Sequence, residues 1–248
     1  MRVSIACAYT STESKTEAGR VVPLRFPPGC LALLVLGGLF VFFPFFLTDI
    51  LVNALGKLGI SPIGSLFVLM GIFFGSLINI PLRRIRRHRV VEVPAVRMFG
   101  MGWGLGQRVR RQRYDLVIAI NVGGALIPSS MALFELLRLV NTTALIPALV
   151  CIGINVFVCQ RVARPVAGMG IAMPALVPGL VAVGCALILA SEHAAPVAFA
   201  SGVLGPLVGA DLLHMHEIRK FDTPVVSIGG AGTFDGIVVS GMVALLLA

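Results

Sequence analysis

Residues 227–248 read SIGGAGTFDGIVVSGMVALLLA. The last dozen residues have the make-up of a membrane-spanning helix, yet Asp235 stands among Gly229, Gly230, Gly232, Gly236 and Gly241. A carboxylate inside lipid costs about 2.5–3.5 kcal/mol on insertion scales, so it is retained there for a reason. Adjacent glycines loosen a helix and expose its backbone. The stretch therefore reads as an apolar helix broken at Gly229–Gly230, with Asp235 as the acid that the break helps to solvate.

The rest of the chain has the same character. Of 248 residues, 57% are hydrophobic and only 12% charged, and the mean hydropathy is +0.98. Soluble domains carry about a quarter charged residues. Continuous apolar blocks separated by short polar joints argue for helices, whereas a membrane β-barrel would show weak alternation over about ten residues per strand. Seven such blocks can be drawn: Cys30–Val52, Ile60–Pro81, Asp115–Leu137, Thr142–Cys159, Pro174–Ser191, Ala195–Leu213 and Thr223–Ala248. The expected fold is all-α, a multi-pass transmembrane helical bundle of about seven spans with some helices bent or broken at Gly-Gly. Residues 1–29 are expected to form a loosely ordered cytoplasmic arm, and 30–248 a single transmembrane domain.

Charge sets the orientation. Ten of the twenty Lys and Arg fall in the loop 82–114, from Arg83 to Arg113. Positive charge collects on cytoplasmic loops. Alternating outward from that loop puts Lys15, Arg20, Arg25, Arg161, Arg164, Arg219 and Lys220 on the same side, leaving Lys57 and Arg138 opposite. The expectation is a chain in the cell inner (plasma) membrane, N-terminus inside and C-terminus outside. Met98, Phe99, Met101, Trp103 and Leu105 are interleaved with arginines, a mixture suited to headgroup depth and to anionic lipid, or to a plain surface loop. The lipid bilayer is thus the expected partner. No nucleic-acid module accompanies the arginines, and nucleic acid is not an expected partner despite the net charge of +9.

Candidate chemistry lies in the spans. YDLVIAINVGGALIP, beginning at Tyr114, is echoed by FDTPVVSIGGAGTFDG, beginning at Phe221, with Asn121–Ala125 against Ser227–Ala231. Two facing breaks, Gly123–Gly124 and Gly229–Gly230, would resemble discontinuous transporter helices, whose unwound backbone needs a protein-lined or wet cavity. Asn121, Ser227, Thr233 and Asp235 would supply its polar groups. Chance similarity of glycine-rich apolar segments is the plainer alternative. Gly205–Gly209 and Gly232–Gly236 are small-xxx-small pairs that let helices approach closely. Asp115 and Asp211 are expected at the cytoplasmic boundary, and Asp49 and Glu135 near outer ends where water reaches them. Asp211 and His214, at i and i+3, are too few for a metal site. The five cysteines form no CxxC pair, and no phosphate loop, GxSxG elbow or HExxH motif occurs, so no cofactor is expected.

Two resemblances follow from these strings. ARPVAGMGIAMPALVPG, GADLL and SIGGAGTFDGIVVSGMVALLLA, with YDLVIAINVGGALIP, resemble a prokaryotic membrane-protein family catalogued only as a domain of unknown function, over roughly Arg113 to Ala248. That resemblance implies an integral membrane protein and carries no catalytic residues. Tyr114-Asp115 and Gly209-Ala210-Asp211, with Pro174-Ala175-Leu176, are similar to motifs of the GxGD membrane aspartyl proteases, the presenilin and prepilin-peptidase group, with Ala210 in place of the glycine before Asp. That likeness implies Asp115 and Asp211 as a catalytic pair sharing a proton. Three readings therefore stand: a transporter or channel-like protein for a small solute or ion, centred on Asp235; a membrane aspartyl protease using Asp115 and Asp211; and a non-catalytic membrane scaffold.

Overall fold

A computed structural model of the chain describes residues 28–93, 108–166, 170–218 and 225–248. The expected N-terminal arm as far as residue 27, the Met98–Leu105 part of the basic loop, and Arg219 and Lys220 lie outside them. The chain divides into two compact units, residues 1–46 and 47–248. The described part of the first unit is the start of helix α1 (Pro28–Gly56), where Phe42, Phe43, Phe45 and Phe46 are exposed.

The second unit is mostly helical. After α1 come α2 (Pro62–Gly75), α3 (Ile127–Leu139), α4 (Leu145–Val162), α5 (Leu176–Leu189), α6 (Ala194–Pro206), the single turn α7 (Met215–Ile218) and α8 (Gly236–Leu247). Helix α6 is the hub. It packs against α3, α4, α5 and α8, and every residue from Val197 to Val203 is buried. A helix that is apolar on all sides belongs in the middle of a bundle. Around it the outward faces are apolar too: Phe67 is 75% exposed, Ile146 73% and Ile188 82%. A water-facing surface of this kind would aggregate, whereas lipid solvates it.

Small residues bring the helices together. A side chain at Gly202 would crowd Ala244 and the carbonyl of Ser240, and one at Gly241 would run into Val203. Gly205 and Gly209 lie against Asn155, Val156 and Cys159 of α4, as the small-xxx-small spacing predicts. Hydrogen bonds stitch the same contacts. Asn155 Nδ2 donates to the carbonyls of Pro178 (3.1 Å) and Ser201 (2.8 Å), Ser201 Oγ to Cys151 (3.0 Å), and Ser240 Oγ to Gly202 (2.5 Å). The Gly232–Gly236 pair is different: Gly232 lies in a short turn at φ +65° and Gly236 opens α8, so they do not share a helix face.

The expectation of an all-α fold is corrected by a sheet. Strands β1 (Asn79–Val93) and β2 (Arg108–Asn121) pair antiparallel from Asn79 opposite Asn121 to Val93 opposite Arg108, with one irregularity between Pro81 and Arg83. Proline lacks the N–H that a ladder needs, which places the bulge there. Much of the arginine-rich segment is therefore a long β-ribbon rather than a loop. A small separate hairpin pairs β3 (Arg164–Val166) with β4 (Gly170–Ala172), and β5 (Val225–Ile228) joins the first sheet parallel to β2.

These strands redraw two of the seven blocks. Asp115–Leu137 begins as β2 and becomes helical at Val122, first as a wide π-type stretch over Val122–Leu126 and then as α3. Thr223–Ala248 contains β5, a turn and the twelve-residue α8. Among the described residues, three helical runs are long and apolar enough to cross a membrane: Val122–Leu139, Leu145–Val162 and Ser191–Glu217. Pro62–Gly75 and Leu176–Leu189, at 14 residues each, reach only about 21 Å against a hydrocarbon core of about 30 Å.

Candidate functional site: two glycine passages and a pair of carboxylates

Strands β2 and β5 run side by side in the same direction, and each leaves the sheet through Gly-Gly-Ala toward an apolar helix. The sequence echo thus corresponds to two adjacent strand-to-helix passages. The register sets Ala119 opposite Ser227, two residues from the alignment of Asn121 with Ser227. The two breaks meet: a side chain at Gly124 would overlap the carbonyl oxygen of Gly229, and one at Gly229 would press on Ala125. Gly229 has φ +68°, a conformation that glycine adopts without a Cβ penalty. Gly123 is pressed against the end of α2 at Ile72 and Ser76.

Asn121 closes the first passage. It is fully buried, and its Oδ1 accepts the N–H of Gly124 at 2.7 Å, capping the wide turn. Its Nδ2 donates to the carbonyl of Ser76 at 2.7 Å and to Asn79 Oδ1 at 3.1 Å. Ser227 Oγ donates to the same Asn79 oxygen at 2.6 Å. Both donors of the Asn121 amide are committed inside the protein, so it acts as a structural knot between α2, β1 and β2. Nothing in the sequence marked Ser76 and Asn79 as members. They join through strand pairing, which a hydropathy profile does not report.

The second passage is longer. From Ile228 the chain turns through Gly229–Ala231 and the short Gly232–Phe234 helix that holds Thr233, and α8 begins at Gly236. Asp235 is the N-cap of α8 rather than a mid-helix residue: Oδ1 accepts the N–H of Ile237 at 3.0 Å and Oδ2 that of Ala231 at 3.3 Å. Carboxylates suit that position because the first helical N–H groups lack partners and the helix dipole is positive there. Asp211 approaches from α6, whose last turns widen into a π-type segment over Leu207–Leu212. Its carboxylate lies beside the backbone of Gly229 and within electrostatic reach of Asp235. The two acids share the lining of one cavity of about 70 Å³, with Met173, Pro206 and Ile237.

The remaining sequence candidates lie elsewhere. Asp115 is exposed on β2 opposite Arg86, six residues before Asn121 and so about 20 Å along the strand from the glycine passages. Asp211 meets Asp235 in the cavity, and Asp115 is not among its lining residues. His214 Nδ1 lies 3.1 and 3.0 Å from the carbonyls of Gly209 and Ala210. Among the described residues no three His, Cys, Asp or Glu side chains cluster. Glu135 corrects an expectation: it is 3% exposed and is not open to water. Arg138 Nη1 lies 3.1 Å from both its oxygens and also donates to the carbonyl of Leu58 at 2.7 Å. The three-residue spacing of an acid and a base on one helix was the available signal for that pair.

Fold and site together define a class: a mostly helical chain with membrane-length apolar helices, in which two parallel strand–glycine–helix passages converge beside a pair of carboxylates. Within that class the chain belongs to the DUF1614 family, described as a protein of unknown function, whose model matches residues 73–247. The match runs from the last turn of α2 to the end of α8 and takes in both passages, Asp211 and Asp235. No curated protein and no solved structure matches the chain.

Proposed function

We propose that the chain is an integral membrane protein that binds a proton or a small cation between Asp211 and Asp235 and passes it along the membrane-inserted helices. The observation that carries this reading is the cavity that two carboxylates share where α6 widens and α8 begins. Helix irregularities of the π type are frequent at functional sites, and ion sites of transporters sit at helix breaks. Size narrows the ligand. About 70 Å³ holds one or two waters or a small ion, not an organic solute. The same limit disfavours a peptide substrate and with it a protease. In this reading the helices of the seven apolar blocks enter the membrane with the N-terminus inside, the shorter ones as partial passes. The arginine-rich ribbon then lies on the cytoplasmic side against anionic headgroups, and Arg161, stacked over Phe157 at 4.7 Å, anchors the end of α4 on that side.

The test is flux. The full chain is reconstituted in liposomes containing a pH-sensitive dye, driven by an imposed potential, with sodium and potassium gradients in parallel. The wild type should move protons or one of the cations above the rate of empty vesicles. Asp235→Asn and Asp211→Asn should each lower that rate by about tenfold or more, equivalent to at least ~1.4 kcal/mol in the barrier. Absence of wild-type flux, or flux unchanged in both variants, removes the proposal.

A further inference from the structure

A second cavity, of about 360 Å³, lies at the opposite end of the helices from the sheet, where the α1–α2 turn meets the end of α3 and the start of α6. Its volume falls in the range of small-molecule sites. Lys57, Arg138 and His193 line it, and Glu135 is its one lining carboxylate.

The arrangement around Lys57 and Arg138 is built rather than incidental. Lys57 Nζ donates to the carbonyls of Leu245 (3.1 Å) and Leu246 (3.0 Å), the negative end of α8, which fixes the ammonium at the cavity wall. An ammonium has three donors, and these bonds use two. Arg138 is held from behind. Its Nη1 engages buried Glu135 and the Leu58 carbonyl, while its side chain as a whole remains 51% exposed. Glu135, with its side chain 4% exposed, pairs with the guanidinium and orients it. Gly59 (φ +79°) brings bare backbone beside the fork, where an added Cβ would sit 3.8 Å from Arg138 Nη2. Of the charged pair, the cation is the exposed partner, and the one lining acid is buried against it.

We propose that this cavity binds a phosphate-type oxyanion, carried by a free small solute or by a lipid headgroup, with Lys57 and Arg138 as its charged ligands and His193 at its rim. A guanidinium fork beside an ammonium matches tetrahedral oxyanions by charge-assisted hydrogen bonds.

The experiment uses the full chain in nanodiscs. In neutral phosphatidylcholine discs, inorganic phosphate is titrated and followed by calorimetry. In discs containing phosphatidylglycerol, retained lipid is counted by native mass spectrometry after exchange into neutral lipid. Saturable phosphate binding assigns the site to a soluble oxyanion, and selective retention of phosphatidylglycerol assigns it to a headgroup. Either supports the proposal, provided that Lys57→Met and Arg138→Lys each weaken binding by about tenfold. Arg138→Lys keeps a countercharge for Glu135. If that variant fails to fold, the double change Glu135→Gln with Arg138→Gln removes both charges without stranding either. Neither phosphate nor phosphatidylglycerol binding in the wild type, or binding unchanged by the substitutions, overturns it.

Discussion

The two glycine passages are built alike and capped differently. In the first, β2 runs directly into a wide turn, and the neutral amide of Asn121 caps it. In the second, seven residues separate β5 from α8, and the cap is the carboxylate of Asp235. The shared backbone solution serves packing: each Gly-Gly pair lets one passage lie against the other. The difference lies in what remains once the cap is made. Both donors of the Asn121 amide are committed, so this side chain has no hydrogen left to offer a ligand. Asp235 caps α8 and still faces a second acid across a cavity. One passage is closed by a neutral amide, and the other by an acid that also lines a cavity.

That contrast can be broken most forcefully at the contact itself. Gly124→Val should cost roughly 3 kcal/mol or more, because the clash is with backbone that has nowhere to move. The check is the loss of a monodisperse peak and of the thermal transition in detergent; a variant as stable as the wild type would mean that the passages do not touch. Next in size, Asn121→Leu strands the Gly124 N–H and the Ser76 carbonyl, at about 2–3 kcal/mol. Its fall in thermal midpoint should exceed that of Asn155→Leu in the bundle, where the two hydrogen bonds lost average nearer to ~0.6 kcal/mol each.

Asp235→Asn sharpens the comparison from the other side. Asparagine caps a helix about as well as aspartate, so stability should change by less than ~1 kcal/mol while flux falls. A large loss of stability with flux intact would make Asp235 a second Asn121. The smallest expected effect is on α8. Lys57→Met removes the ammonium from its last carbonyls and should cost about 0.3–1 kcal/mol, read as a small drop in thermal midpoint.

Much of this could be read in the chain and some of it could not. That the chain changes course at Gly123–Gly124 and at Gly229–Gly230, and that the two passages are alike, was visible; but the expected helix breaks are strand-to-helix junctions, and a π-type helix runs through Gly123–Gly124. Val117, Ile118 and Ile120 in β2, and Val225, Val226 and Ile228 in β5, are β-branched runs as fit for a buried strand as for a helix. Hydropathy merged them with the helices that follow. The ribbon of β1 and β2 was hidden for a related reason: successive arginines in β1 obscure the two-residue alternation that marks a strand.

Local composition and short spacing carry the apolar character of the helices, the position of positive charge, the glycine pairs and the acids near them. Tertiary structure decided the partners. Asp211 meets Asp235 and not Asp115, because a widened turn of α6 and the start of α8 converge on the Gly229 turn. Asn121 reaches Asn79 through a strand register, and Glu135 is buried where it pairs with Arg138, whose guanidinium is tied to the Leu58 carbonyl. Burial and pairing are properties of contacts distant in the chain, and a linear pattern carries the residues without carrying those contacts.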